Sequence, residues 1–211
     1  MSSEKPTSRP TVRRLYVSSI PSGNCYKVRL LLSHLGAECE IVSLDILAKP
    51  PQTRRSAFLA INPNGRVPTV ELTDGTHLSE SNAILFYLAE GTPCLPGEPL
   101  GRARALQWMF FEQYSHEPYI AVMRFWQRWG GIHTRQPKEV ETWRTRGQAA
   151  LDVMDQHLVT RSFFVGEIYS IADIALFAYT QTARDHGYEV GPATNAWLDR
   201  VRMQPGYVAM E

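Results

Sequence analysis

Cysteine is scarce in this chain and badly spaced for bridging. Its 211 residues hold three, Cys25, Cys39 and Cys94, an odd number with no Cys-x-x-Cys pair and no Cys/His zinc spacing. That argues against a disulfide framework and against a metal site, and the expected setting is a reducing, cytoplasmic one. Charge excess is also missing. The chain carries 22 basic and 21 acidic residues, a formal net charge of +1, which leaves no electrostatic footprint for a nucleic-acid partner. No apolar run approaches membrane-spanning length, and residues 1–11 are polar and Pro-rich without the apolar core of a signal peptide. The expectation is a soluble protein with no membrane partner, opening on a flexible tail.

What is present is a change of periodicity. Leu15-Tyr-Val17 is β-prone, Ser22 to Lys27 reads as a tight turn, and Val28, Leu31, Leu32 and Leu35 recur at a spacing that predicts a helix. Gly36 stops that helix and Glu38 to Asp45 is β-prone again, so a βαβ unit with two parallel strands opens the molecule. A Pro-containing loop from Lys49 to Arg55 and a short helical piece at Ser56 to Ala60 lead into the turn Asn62-Pro-Asn-Gly-Arg-Val-Pro68. Asp74-Gly75 between two short β-prone runs predicts a hairpin, and Ser81 to Glu90 returns to helical periodicity.

From Gly91 the character changes. Residues 91–100 form a Pro/Gly-rich linker, and residues 101–211 carry only helical patterns, at Arg102 to Trp129, Lys138 to Thr160, Ile171 to His186 and Ala193 to Met203. Pro118 is expected to kink the first of these without ending it. The fold class is therefore α/β plus all-α: a βαβ–ββα domain over 12–90 followed by a helical domain. Ser170-x-x-Asp173 has the spacing of a capping box, so Asp173 is assigned a structural task.

The order of these parts and four motifs, Ser22-Gly-Asn-Cys-Tyr-Lys-Val28, Asn62 to Pro68, Ser79-Glu-Ser-Asn-Ala-Ile84 and Ser170-Ile-Ala-Asp-Ile-Ala175, resemble the cytosolic glutathione S-transferase family, in its serine-type, bacterial-like form. The resemblance implies a thioredoxin-like N-terminal domain that binds glutathione as co-substrate, with no other cofactor. It implies that Val67 offers its backbone to the cysteinyl unit of glutathione before a cis Pro68, although an X-Pro bond taken alone favours trans. It also implies that Ser81 holds the γ-glutamyl carboxylate and Glu80 the amine, against the plainer reading that Ser79 or Ser81 caps a helix. For the glycyl end Lys49 and Gln52 are candidates. The electrophile pocket is expected between the domains, with Tyr114 preferred and Tyr119 and Arg124 behind it, and a two-fold homodimer is expected.

Conjugation of the glutathione thiolate to small hydrophobic electrophiles is the function so implied. A thiol near its reference pKa of about 8.5 is a few per cent thiolate at neutral pH, and lowering it by about two units, worth about 2.7 kcal/mol, makes it mostly reactive. Ser22, at the turn before the helix, is the candidate donor for that sulfur. Two rivals stand beside it: a thiol/disulfide reductase working through Cys25, and a non-catalytic module of the same fold.

Overall fold

The computed structural model describes residues 11–210; the tail expected over residues 1–11 lies outside them apart from Thr11. Strand β1 (Val12–Ser18) is longer than its apolar centre suggested, because Val12 also turns inward. It is followed by helix α1 (Gly23–His34), strand β2 (Glu40–Leu44), the short helix α2 (Ser56–Leu59), strands β3 (Thr69–Leu72) and β4 (His77–Ser79), and helix α3 (Ser81–Ala89). The sheet order is β2-β1-β3-β4. β1 pairs with β2 in parallel, as a βαβ crossover requires, and with β3 antiparallel, and the β3–β4 hairpin turns at Gly75, whose φ is +86°.

Helix α1 is the wall shared by the two halves. Val28 and Leu32 lie with Leu15, Val17, Val70 and Ile84 under the sheet, whereas Tyr26, Leu30 and Leu31 belong to the core of the helical half. The spacing that suggested one apolar face thus serves two, and a helix apolar on most of its circumference is one that packs on both sides.

Helix α4 (Pro99–Phe111) begins inside the stretch read as a linker, with Glu98 accepting the Leu100 N–H at its N-cap. It continues through a π-turn (Glu112–His116) into α5 (Glu117–Phe125) and a second π-turn (Trp126–Gly130). The expected single helix over Arg102 to Trp129 is therefore interrupted twice. Pro118 sits in the first turn of α5, where its missing N–H is tolerated, and the wide turn just before it absorbs the register change. Helices α6 (Pro137–Leu158), α7 (Ile171–Thr180) and α8 (Pro192–Arg202) complete the half. Every residue of α7 is buried. That helix stops at Thr180, short of the sequence expectation, and a 3₁₀ turn carries the chain over Ala183–His186.

Asp173 does what its spacing predicted. Oδ2 accepts from Ser170 N at 2.9 Å, and Oδ1 accepts from Phe164 N at 3.0 Å and from Trp197 Nε1 at 2.9 Å. The box thus ties the start of α7 to α8 and to the loop before it. Among the described residues no helix is long and apolar enough to cross a membrane.

Candidate functional site

Three chain turns converge at one end of the central β1–β3 pair. In the first, Ser22 stands in extended backbone as the N-cap of α1, and its Oγ accepts the Cys25 N–H at 3.4 Å. Gly23 follows because a Cβ there would meet the Tyr179 ring at 2.6 Å. In the second, Asn62 organises the loop before β3: Nδ2 donates to Arg66 O at 2.8 Å and to Thr69 Oγ1 at 3.2 Å, and Oδ1 accepts from Asn64 N at 3.0 Å. This brings Val67, ahead of a cis Pro68, into the lining of the cleft. In the third, Glu80 adopts φ +72°, the one non-glycine residue at positive φ among those described. A left-handed backbone at a non-glycine residue costs about 1–3 kcal/mol and is characteristic of binding sites.

These turns line one cleft of about 650 Å³ together with Gln113, Glu117 and Phe125 of the helical half. Ser22, Val67, Pro68, Glu80 and Ser81 are therefore brought together as the sequence suggested. The capping alternative does not hold for the serines. Ser79 Oγ pairs with Thr69 Oγ1 at 3.0 Å, while Ser81 Oγ donates to Asn24 Oδ1 at 3.4 Å and accepts from Lys27 Nζ at 3.5 Å. The cleft combines two helix starts, serine hydroxyls and the Val67–Pro68 segment, a set suited to an extended peptide-like ligand bearing a carboxylate.

Other candidates fall elsewhere. Lys49 and Gln52 do not line the cleft; Gln52 Oε1 accepts from Asp45 N at 2.6 Å, which turns that side chain back onto its own loop. Pro51, Thr53 and Arg54 take the place instead, at the 3₁₀ turn Gln52–Arg54, where Thr53 is the buried residue. Tyr114 is 83% exposed on the outer surface. Tyr119 faces α6, its hydroxyl accepting from Arg146 Nη1 at 3.0 Å. Arg124 is buried and donates to Pro21 O at 2.8 Å, so it braces the turn before Ser22 from behind. The π-turn accounts for the three helical misplacements, Tyr114, Tyr119 and Arg124, since it shifts residues after Glu112 off the face that regular helical spacing predicts.

Cys25 lies in the core under the sheet, 4% exposed. Burial pushes its thiol up, and the Ser22 hydroxyl offsets this only in part.

Beneath the cleft lies a polar cluster the sequence did not announce. Lys27 and Glu112, both fully buried, form an ion pair at 2.9 Å that joins α1 to the π-turn. Lys27 Nζ also donates to Asn24 Oδ1 at 2.8 Å, and Asn24 Nδ2 donates to Glu117 Oε1 at 3.0 Å. His116 is buried, with Nε2 bonded to Thr180 Oγ1 at 2.9 Å. Since Thr180 Oγ1 donates to Leu176 O, Nε2 carries the proton. Burial, with Lys27 nearby, lowers the imidazole pKa to about 3. A lysine inside an apolar helix and a glutamate inside an aromatic one were the available signal, because such charges are almost never fully buried unless paired. Among the described residues no group of His, Cys, Asp and Glu side chains is arranged to hold a metal.

Comparison with known proteins agrees with this fold. A crystal structure of a glutathione S-transferase from Pseudomonas fluorescens Pf-5 superimposes with a TM-score of 0.90 at 48% identity, covering 95% of this chain and 99% of that one. A glutathione transferase family member from the same organism, solved with two glutathione bound, gives a TM-score of 0.79 at 26% identity over 95% and 92% of the two chains. Disulfide-bond oxidoreductase YfcG of Escherichia coli (strain K12) is 30% identical over 200 residues, 90% of each chain. The models of the N-terminal and C-terminal domains of glutathione S-transferase match residues 15–90 and 108–205, and the chain belongs to that family.

Proposed function

We propose that this protein is a glutathione transferase in which Ser22 stabilises the glutathione thiolate for attack on a small hydrophobic electrophile. The observation that carries the reading is the Ser22 hydroxyl at the start of α1, in one cleft with the Val67 backbone and with Glu80 and Ser81. Val67 would pair with the cysteinyl backbone and set the sulfur toward Ser22. Ser81 and the start of α3 would take the γ-glutamyl carboxylate, with Glu80 on the amine. Arg54 and Thr53 replace Lys49 and Gln52 as partners for the glycyl carboxylate, Arg54 being the one that offers a charged fork. Phe125 gives the electrophile side an apolar face.

Disulfide exchange with glutathione is the second reading, and the Escherichia coli relative speaks for it. The burial of Cys25 speaks against its passing through that thiol. The subunits are further proposed to pair. An apolar groove of about 590 Å³ runs between α3 and α4, lined by Leu78, Phe86, Leu106, Met109 and the exposed Phe110, so both halves contribute to one unfilled apolar face.

The deciding experiment is purified protein on immobilised glutathione, followed by parallel assays with a chlorodinitrobenzene and with a glutathione mixed disulfide. Retention with conjugation supports the transferase, retention with disulfide turnover alone supports the second reading, and no retention rejects both.

A further inference from the structure

We propose that Glu117 is the proton acceptor for the glutathione thiol, and that Asn24 shares its amide N–H groups between that carboxylate and the sulfur. The inference rests on the transferase reading and adds to it the fate of the thiol proton.

Glu117 opens α5, directly after the π-turn, and its carboxylate reaches the cleft that Ser22 and Asn24 line from the other half. Its Oε1 accepts Asn24 Nδ2 at 3.0 Å. Asn24 is held on every side: its backbone N–H donates to Tyr179 OH at 3.3 Å, and its Oδ1 accepts from Lys27 Nζ at 2.8 Å and from Ser81 Oγ at 3.4 Å. A cation on the amide oxygen draws electron density from the nitrogen and makes both Nδ2 hydrogens stronger donors. One of them is committed to Glu117. The other is available to a sulfur seated beside Ser22.

Charge bookkeeping favours this partner over water. When the S–H bond breaks and its proton goes to the second oxygen of Glu117, the sulfur takes the negative charge that the carboxylate gives up. The net charge of the cleft stays constant, and no additional ion is buried. Asn24 then loses a charged acceptor on one hydrogen and gains one on the other. After the sulfur bonds to the electrophilic carbon and the leaving group departs with its electron pair, the Glu117 proton passes to the leaving group or to solvent.

The neighbours of Glu117 bring donor and acceptor toward each other. Burial raises its pKa and Glu112 adds to this, while Lys27, the Asn24 bond and Arg66 pull it down. The phenol of Tyr179 is neutral across the working range, its pKa raised chiefly by burial, and His116 is neutral above about 3. On the other side, the start of α1 and the Ser22 hydroxyl lower the thiol. A carboxyl raised and a thiol lowered is the arrangement in which proton transfer between them becomes nearly balanced.

The test uses the wild-type protein and Glu117→Gln. Glutathione is added to each in weak buffer with an indicator dye, and thiolate formation is followed by ultraviolet absorbance alongside proton release. In the wild type, thiolate should appear with far less than one proton released per site. Glu117→Gln should bind glutathione within about twofold of wild type, release about one proton to solvent for each thiolate it forms, and lose about 10²–10⁴-fold in conjugation kcat/KM. One proton released for each thiolate formed in the wild type would make solvent the acceptor and overturn the inference while leaving the transferase reading intact. A wild type that neither binds glutathione nor shows thiolate would overturn both. The wild-type measurement stands alone if the variant does not fold.

Discussion

At the start of α7 the Asp173 carboxylate accepts four hydrogen bonds, from Phe164 N, Trp197 Nε1, Ser170 N and Ser170 Oγ. Beneath the cleft, by contrast, Glu112 Oε1 and His116 Nδ1 are buried without a hydrogen-bond partner among the described residues. Both clusters are polar, buried and close to a helix start. The first is saturated and does not line the cleft that holds Ser22, so its effect is on stability. The second is left short of partners beside the cleft, where bonds can be shared out anew when a ligand or a proton arrives. Saturation, more than burial, separates a structural acid from one kept for chemistry.

The largest change that would sharpen this contrast is Asp173→Ala. Four donors lose their acceptor at once, and a loss of about 3–5 kcal/mol is expected, read as a lower urea midpoint with glutathione affinity unchanged in whatever fraction remains folded. A loss below about 1 kcal/mol would break the contrast.

Ser22→Ala acts at the other cluster. It should cut conjugation by about 10²–10³-fold at neutral pH while removing only about 1 kcal/mol of helix cap. The same change should leave glutathione affinity nearly intact, and an unchanged thiolate pKa in a bound-state titration would remove Ser22 from the mechanism. Cys25→Ser should have little effect on conjugation.

Ser81→Ala should weaken glutathione binding by about 1.5–3 kcal/mol, the worth of one charge-assisted hydrogen bond, in calorimetry at fixed pH. Equal affinities would assign Ser81 to the Lys27–Asn24 network alone.

Smallest per unit is a pH effect. As pH falls below 6.5 the unfolded chain protonates His116, but the folded one does so only near 3. Stability is thus present above 6.5 and is lost as pH falls toward 3, by up to about 1.4 kcal/mol per unit. Asp173, raised from 3.8 to about 6 by burial, works the other way, since the folded chain keeps a proton there and loses stability as pH rises through that window. The variant His116→Leu should flatten the acid loss between pH 6.5 and 3, measured as the slope of unfolding free energy against pH. An identical slope would locate the acid sensitivity elsewhere.

Sequence alone determined whatever depends on neighbours along the chain. The βαβ order follows from apolar spacing interrupted at Gly36, the hairpin from Asp74-Gly75, the capping box from Ser170 and Asp173, and the cap from Ser22 just before a helical run. Each is a local rule of backbone geometry or side-chain reach, and each survives in the structure. Tertiary structure decided which side chains of the helical half meet the cleft. Two π-turns break the regular spacing between Glu112 and Gly130, so Gln113, Glu117 and Phe125 face inward while Tyr114 faces out. It also decided the Lys27–Glu112 pair and the turning away of Gln52, because a partner 85 residues along the chain or a loop folded on itself leaves no periodic trace. Register within a long helix adds one rotation per residue, so a single wide turn is enough to displace every later side chain from its expected face.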